Sequence, residues 1–251
     1  MANWQDPRTT TDQGAGVNAA TVGVPRAARD AGLRSYMLSV YNYMASGVLL
    51  TGIIALLFAP YAGQVLVNSA GTGMSPIGWL IILAPLGFVF AMNFGVNRMK
   101  TSTLQLLFWG FAAVMGLSMS TLFLAYTGVS IAQTFFATAA AYLGLSVYGY
   151  TTKRDLSGLG TFLIMGVVGL LVAMLVNMFL HSSAMALAIS AIGVLLFAGL
   201  TAYDTQRIKS LYFHVQGTEM MGKTVIMGAL QLYLDFINMF QFLLSFMGQR
   251  R

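Results

Sequence analysis

Seven apolar runs, each about as long as a bilayer's hydrocarbon core is thick, restrict this chain to very few folds. They cover Tyr36–Phe58, Ile77–Val96, Leu104–Tyr126, Ile131–Tyr150, Leu159–Leu180, Ala184–Tyr203 and Thr224–Met247. At about 1.5 Å per residue, some 20 helical residues cross about 30 Å of hydrocarbon. Lipid offers no partner to backbone N–H and C=O groups, so each run has to satisfy its own as a helix. Turn signals separate the runs: Ala59-Pro60, Gly71 to Pro76, Thr127-Gly128 and the charged Lys153-Arg154-Asp155. Only 8% of the 251 residues are charged, against about 25% in a soluble domain. The expected fold is an all-α membrane protein of seven transmembrane helices. Residues 35–251 form that domain, and its connections are too short for a soluble one.

Residues 1–34 read as a disordered cytoplasmic tail, because the stretch is polar, rich in Gly, Ala and Thr, and without periodicity. No apolar segment follows a basic start as a signal peptide requires, so the first run reads as a retained anchor. Basic residues then set the orientation. Eleven of thirteen fall in the tail and in the second, fourth and sixth connections, with Arg250 and Arg251 opposed. The positive-inside rule places the amino terminus in the cytoplasm and the carboxyl terminus outside. The basic residues are too scattered for nucleic-acid binding. The chain has no cysteine, which excludes disulfides, thiol catalysis and Cys-based metal sites.

Small residues recur every four positions at Ala112, Gly116 and Ser120 and again at Ala140 and Gly144. Such faces let helices approach closely in lipid. The last run carries polar residues instead. At about 100° per residue, Gln231, Asp235, Asn238, Gln241 and Ser245 fall within an arc of about 120°, with Tyr233 opposite. That stripe points to the bundle interior or a wet cavity. The seventh helix is therefore a candidate centre of the bundle or wall of a pathway, lined by Gln231, Asn238 and Ser245.

Asp204 and Asp235 are two of only seven acidic residues. Ionisable groups at membrane depth usually face inward and serve a function. Ser190, Gly193, Phe197 and Thr201 share the face of Asp204, and packing that face on the stripe would bring the two carboxyls together. Adjacent carboxyls in a low dielectric cannot both ionise cheaply. They share a proton or bind a cation, and titrate as a unit. Their hard oxygens suit Ca2+, although two residues fall short of its six to eight ligands. Asp204 lies at the end of its run, whereas Asp235 is about 16 Å into the next. They meet only if the sixth helix runs past Tyr203 or the seventh starts before Thr224. Read alone, Asp204 is also a helix-end carboxylate within reach of Arg207 at i+3.

Three stretches carry a family resemblance. Tyr148-Gly149-Tyr150-Thr151-Thr152-Lys153-Arg154-Asp155-Leu156-Ser157, Gly199-Leu200-Thr201-Ala202-Tyr203-Asp204-Thr205-Gln206 and Leu232-Tyr233-Leu234-Asp235-Phe236-Ile237-Asn238 resemble the transmembrane Bax inhibitor motif (Bax inhibitor-1) family in its bacterial branch. The likeness runs from about Arg34 to Arg251. It implies seven helices with the last surrounded by the other six, and a location in the bacterial inner membrane. It also implies a pH-sensitive Ca2+ leak whose proton sensor matches Asp204 and Asp235. Some members latch these aspartates with an arginine-rich turn after the second helix. The corresponding stretch here is Asn97-Arg98-Met99-Lys100, which leaves Asn97 or Arg98 as the latch. Bacterial relatives are also described as modulators of a membrane protease.

The functional expectation is thus a Ca2+ leak channel gated by the aspartate pair. The alternatives are a non-conducting regulator of a membrane protease or stress pathway, and a Ca2+/H+ exchanger. The expected partners are lipid, Ca2+ and protons, with no cofactor. An enzyme is disfavoured: His181 and His214 sit at loop positions without metal-ligand spacing, and Lys223 precedes the last run rather than lying within it.

Overall fold

The computed structural model describes residues 26–68 and 73–250. Its helices are α1 (Arg26–Leu66), α2 (Pro76–Gly95), α3 (Thr101–Met119), α4 (Leu122–Ala125), α5 (Gly128–Thr151), α6 (Ser157–Leu180), α7 (Ser183–Val215) and α8 (Met220–Met247). Among the described residues, seven spans are long and apolar enough to cross a membrane, with α3 and α4 together making one of them.

Helix boundaries follow local chemistry. Ser75, Thr127 and Ser182 cap α2, α5 and α7 by accepting from the amides of Gly78, Ser130 and Met185 at 2.9, 3.3 and 3.3 Å. Pro76 follows Ser75 at the first helical position, where its missing N–H costs nothing. The third span breaks at Ser120-Thr121, whose hydroxyls bond the carbonyls of Leu117 and Ser118 at 2.6 and 2.8 Å. Such hydroxyls compete with the helical ladder.

The helix α1 starts at Arg26, so residues 26–34 belong to it and not to a tail. Residues 1–25 of the expected tail lie outside the described residues. Leu33, Tyr36, Met37 and Val40 explain the extension: they are buried at helical spacing, which composition alone does not reveal.

The most buried helix is α8. The spans α1, α3, α5 and α7 pack along it, while α2 stands on α3 and α1, and α6 stands on α7. Four of the six other helices thus form the inner ring, and the remaining two lie one layer out. The helices α7 and α8 approach closely at Gly228, where an added Cβ would lie 3.2 Å from Ile208 Cγ2. Tyr233 is fully buried, with its ring 5.0 Å from that of Phe111 and 6.4 Å from that of Phe108.

One of the two small-residue faces packs as expected. Gly116 lies against α1, where an added Cβ would come within 2.8 Å of the Thr51 carbonyl oxygen. The other does not. Gly144 meets nothing within 4 Å, and α5 turns a different face inward: Ser130, Thr134, Thr138, Tyr142, Ser146 and Gly149. Backbone proximity decides this, because Gly149 is the residue pressed against Ala202 of α7.

The basic ends of the helices are knitted together. Lys223 Nζ donates to the Val96 carbonyl at 3.0 Å, and Lys209 Nζ to the Tyr150 carbonyl at 2.7 Å. Each cation thereby meets the negative end of a helix. At the opposite end, the Thr127 amide donates to the Gln249 carbonyl at 3.2 Å. That bond ties the carboxyl terminus to the start of α5.

Candidate functional site

Both conditions for a meeting of the two aspartates are met. Past Tyr203, α7 continues to Val215, and α8 begins at Met220, before Thr224. The Asp204 carboxyl adjoins the Asp235 carboxyl and the Gln231 amide. Each aspartate is only 4% exposed. Asp204 Oδ1 and Asp235 Oδ2 are buried without a hydrogen-bond partner. Arg207 is exposed and acts on Asp204 only through space, so the helix-end pairing is not what holds that carboxyl.

The face expected to bring them together does so. Ser190 Oγ donates to Ser245 Oγ at 3.0 Å. Gly193 gives room to the Phe242 ring, which stacks on Phe197 at 5.7 Å between centroids. Thr201 Oγ1 turns back to the Phe197 carbonyl at 2.8 Å, which satisfies a buried hydroxyl within its own helix.

The polar stripe of α8 divides in two. Gln231 and Asp235 belong to the carboxyl pair. Asn238, Gln241 and Ser245 line a cleft of about 440 Å³ between α6, α7 and α8, joined by Asn177 and Ser190. Asn238 Nδ2 bonds the Leu234 carbonyl at 2.8 Å, which leaves its carbonyl oxygen available to the cleft. Phe197 is the α7 lining residue nearest Asp204 in the chain, so the stacked rings mark the cleft's inner limit. Tyr233 points the other way, as expected; its hydroxyl lies 2.6 Å from Thr51 Oγ1.

Two further residues belong to the site. Tyr142 of α5 is buried within electrostatic range of both aspartates. Its hydroxyl donates to the Leu232 carbonyl at 3.3 Å. Ser146, one turn on, is 4% exposed, and its hydroxyl has no hydrogen-bond partner. Hydroxyl-bearing residues at 130, 134, 138, 142 and 146 recur every four positions. That spacing is the signal by which the sequence marks this face.

Asn97 and Arg98 are exposed in the turn that ends α2. The helix α2 packs chiefly on α3 and α1, and neither Asn97 nor Arg98 is among the groups that act on Asp204 or Asp235, so neither side chain reaches the aspartates in this conformation. Lys223 occupies the neighbouring carbonyl of Val96. His181 ends α6 with φ 50°. His214 lies in the last turn of α7 and not in a loop, because the sixth span extends well past its apolar core. Among the described residues, no group of three or more His, Cys, Asp or Glu is placed to hold a metal ion.

Comparison with known proteins bears on what this geometry belongs to. The family described as "Inhibitor of apoptosis-promoting Bax1" matches residues 33–251. An uncharacterized protein of Rickettsia prowazekii is 46% identical over 225 residues, 88% of this chain and 92% of the relative. One from Caulobacter vibrioides is 44% identical over 234 residues, 88% of this chain and 91% of the relative. The inner membrane protein YbhL of Escherichia coli is 42% identical over 223 residues, 88% of this chain and 94% of the relative. The match takes in six spans whole, nearly all of the first and both aspartates, and the chain belongs to the Bax inhibitor-1 family of membrane proteins.

Proposed function

We propose that this protein passes cations across the membrane, with Ca2+ as the ion, under the control of a proton held by Asp204 and Asp235. One observation carries the reading: two adjoining buried carboxyls, neither in an ion pair among the described residues and each with an oxygen that bonds none of them. Burying charge without a partner is costly, so the pair is held by a shared proton or a cation. Two carboxyls and an amide fall short of a resident Ca2+ shell. They suit an ion that stops briefly and leaves, as conduction requires. The cleft lined by Asn238, Gln241 and Ser245 leads from the α6–α7–α8 side towards the stacked Phe197 and Phe242, which act as the barrier. An arginine latch at Arg98 would need α2 to move.

The chain is assigned to a bacterial inner membrane with its amino terminus in the cytoplasm, on the strength of its loop charges and of YbhL's location. A carboxyl-terminal reporter active only in the cytoplasm should stay silent.

The test is Ca2+ flux in liposomes holding the purified protein. Flux should depend on pH in wild type, and Asp204→Asn and Asp235→Asn should each flatten that dependence. A double variant with the wild-type profile would sink the sensor. No flux at any pH would favour a regulator of a membrane protease or stress pathway. Saturating flux driven by an opposed proton gradient would favour a Ca2+/H+ exchanger.

A further inference from the structure

The helices α1 and α5 both lie against α8 but stand apart from each other. Between them runs a groove of about 760 Å³, walled by Met37, Tyr41 and Met44 of α1 and by Ala139 and Ser146 of α5, with Phe236 of α8 as its floor. Through the shared Val48, Leu49 and Phe135 it continues into a second groove of about 310 Å³, floored by Ile237 and Phe240. On α1 the combined groove runs from Arg34 to Leu56, about 33 Å of helix. That is the depth of the hydrocarbon core.

The geometry points to a binding site for one anionic phospholipid from the leaflet at the basic end of the bundle. An apolar groove of this length within a bilayer does not hold stable water, and an acyl chain fills it. One polar feature defines the headgroup. Arg34 stands at the mouth, exposed, and makes no ion pair among the described residues, even with Asp30 one turn earlier. A phosphate is the group that guanidinium recognises best at a membrane surface. Ser146 lines the groove one helical turn deeper than Tyr150, but its hydroxyl is buried away from the groove's surface, so the lining that an acyl chain meets at this depth is apolar. The acyl chain then runs over Phe236, Ile237 and Phe240. Tyr142 is part of the same wall, so the lipid lies one side chain away from Asp235.

This site does not depend on ion flux, and its test reads bound lipid. Full-length protein in mild detergent is offered equal phosphatidylglycerol and phosphatidylcholine, and retained lipid is counted by native mass spectrometry. One phosphatidylglycerol per chain should be retained, preferred about fivefold, the ratio that one surface cation supports. Arg34→Gln should bring the ratio near one with lipid still bound. Ala45→Trp, at an exposed lining residue, should displace the lipid while circular dichroism and elution stay unchanged. Arg34→Gln alters only an exposed side chain, so it decides the headgroup contact even if Ala45→Trp misfolds. Absence of retained lipid, or a ratio indifferent to Arg34→Gln, overturns the proposal. Inorganic phosphate raising the melting temperature as much as phosphatidylglycerol would mean a phosphate site and not a lipid site. A dimer that Ala45→Trp converts to monomer would mean that a second copy fills the groove.

Discussion

Thr51→Val separates the scaffold of α8 from its polar stripe. The Thr51 hydroxyl donates to the Ala112 carbonyl at 2.8 Å and lies 2.6 Å from the Tyr233 hydroxyl. Thr51 has one proton to give, so Tyr233 is the donor in the second contact. One hydroxyl therefore ties α1 to α3 and to α8. Valine keeps its shape and removes both bonds. Tyr233, fully buried, then holds a donor with no acceptor. A buried unmade hydrogen bond costs about 1–3 kcal/mol, and single interhelical bonds in membranes average about 0.6 kcal/mol. Thr51→Val should thus cost about 1–2 kcal/mol in equilibrium unfolding in mixed micelles, followed by circular dichroism. Tyr233→Phe leaves Thr51 bonded to Ala112 and should cost about 0.6 kcal/mol. The double variant should cost no more than Thr51→Val alone, because the orphaned donor is gone as well. Neither single variant should move the pH profile of flux, since Tyr233 lies across α8 from Asp235. Additive losses in the cycle would refute the shared-hydroxyl account. A shifted pH profile would refute the separation of scaffold from site.

Three further outcomes are expected. Gly149→Ala would put a Cβ 2.9 Å from Ala202 Cα, which should destabilise by about 1–3 kcal/mol in the same unfolding assay; a neutral result would mean that α5 and α7 are less tightly apposed. The chain has no cysteine, so single cysteines can be labelled without background: positions 238, 241 and 245, in or beside the cleft, should react with a polar thiol reagent, and position 233 should not. Outside the membrane spans, the Asp155 carboxylate accepts from the Ser157 amide at 2.9 Å, and its bonds to Ser157 hold it below the usual carboxylate range. A lowered folded value means that its contribution to stability is present above the ordinary pKa and fades as pH falls through the lowered one. A carboxyl titration by nuclear magnetic resonance should find its midpoint low in wild type and higher in Ser157→Ala.

Much of the site is legible in single residues. Gln231, Asp235, Asn238, Gln241 and Ser245 occupy one arc because a helix has a fixed angular step, so residue order and helical pitch suffice to draw the stripe. The matching face of α7 follows in the same way, and Ser190 does meet Ser245. Length along the axis is what hydropathy hides. It ends the sixth run at Tyr203 because charged residues begin there, yet the helix carries Arg207, Lys209 and His214 beyond the apolar core. The backbone of a helix does not stop where hydropathy does. Similarly, residues 26–34 look like tail by composition yet belong to α1, with Leu33 buried in the bundle.

The sequence by itself determined how many spans this chain has, which ends of its helices share a side, and where the polar stripe of the last helix lies. All three follow from local quantities: the thickness of hydrocarbon, the placement of charge and the pitch of a helix. Which inward faces meet was decided only in three dimensions. Ala112, Gly116 and Ser120 and the pair Ala140 and Gly144 offered equivalent small faces, yet only the first packs, because Gly149 and not Gly144 is the point where α5 meets α7. The same choice carried Tyr142 and Ser146 inward beside Asp235, turned Arg98 away from it and left α1 and α5 apart. Such outcomes depend on how all the helices fill space at once, and no segment carries that information alone.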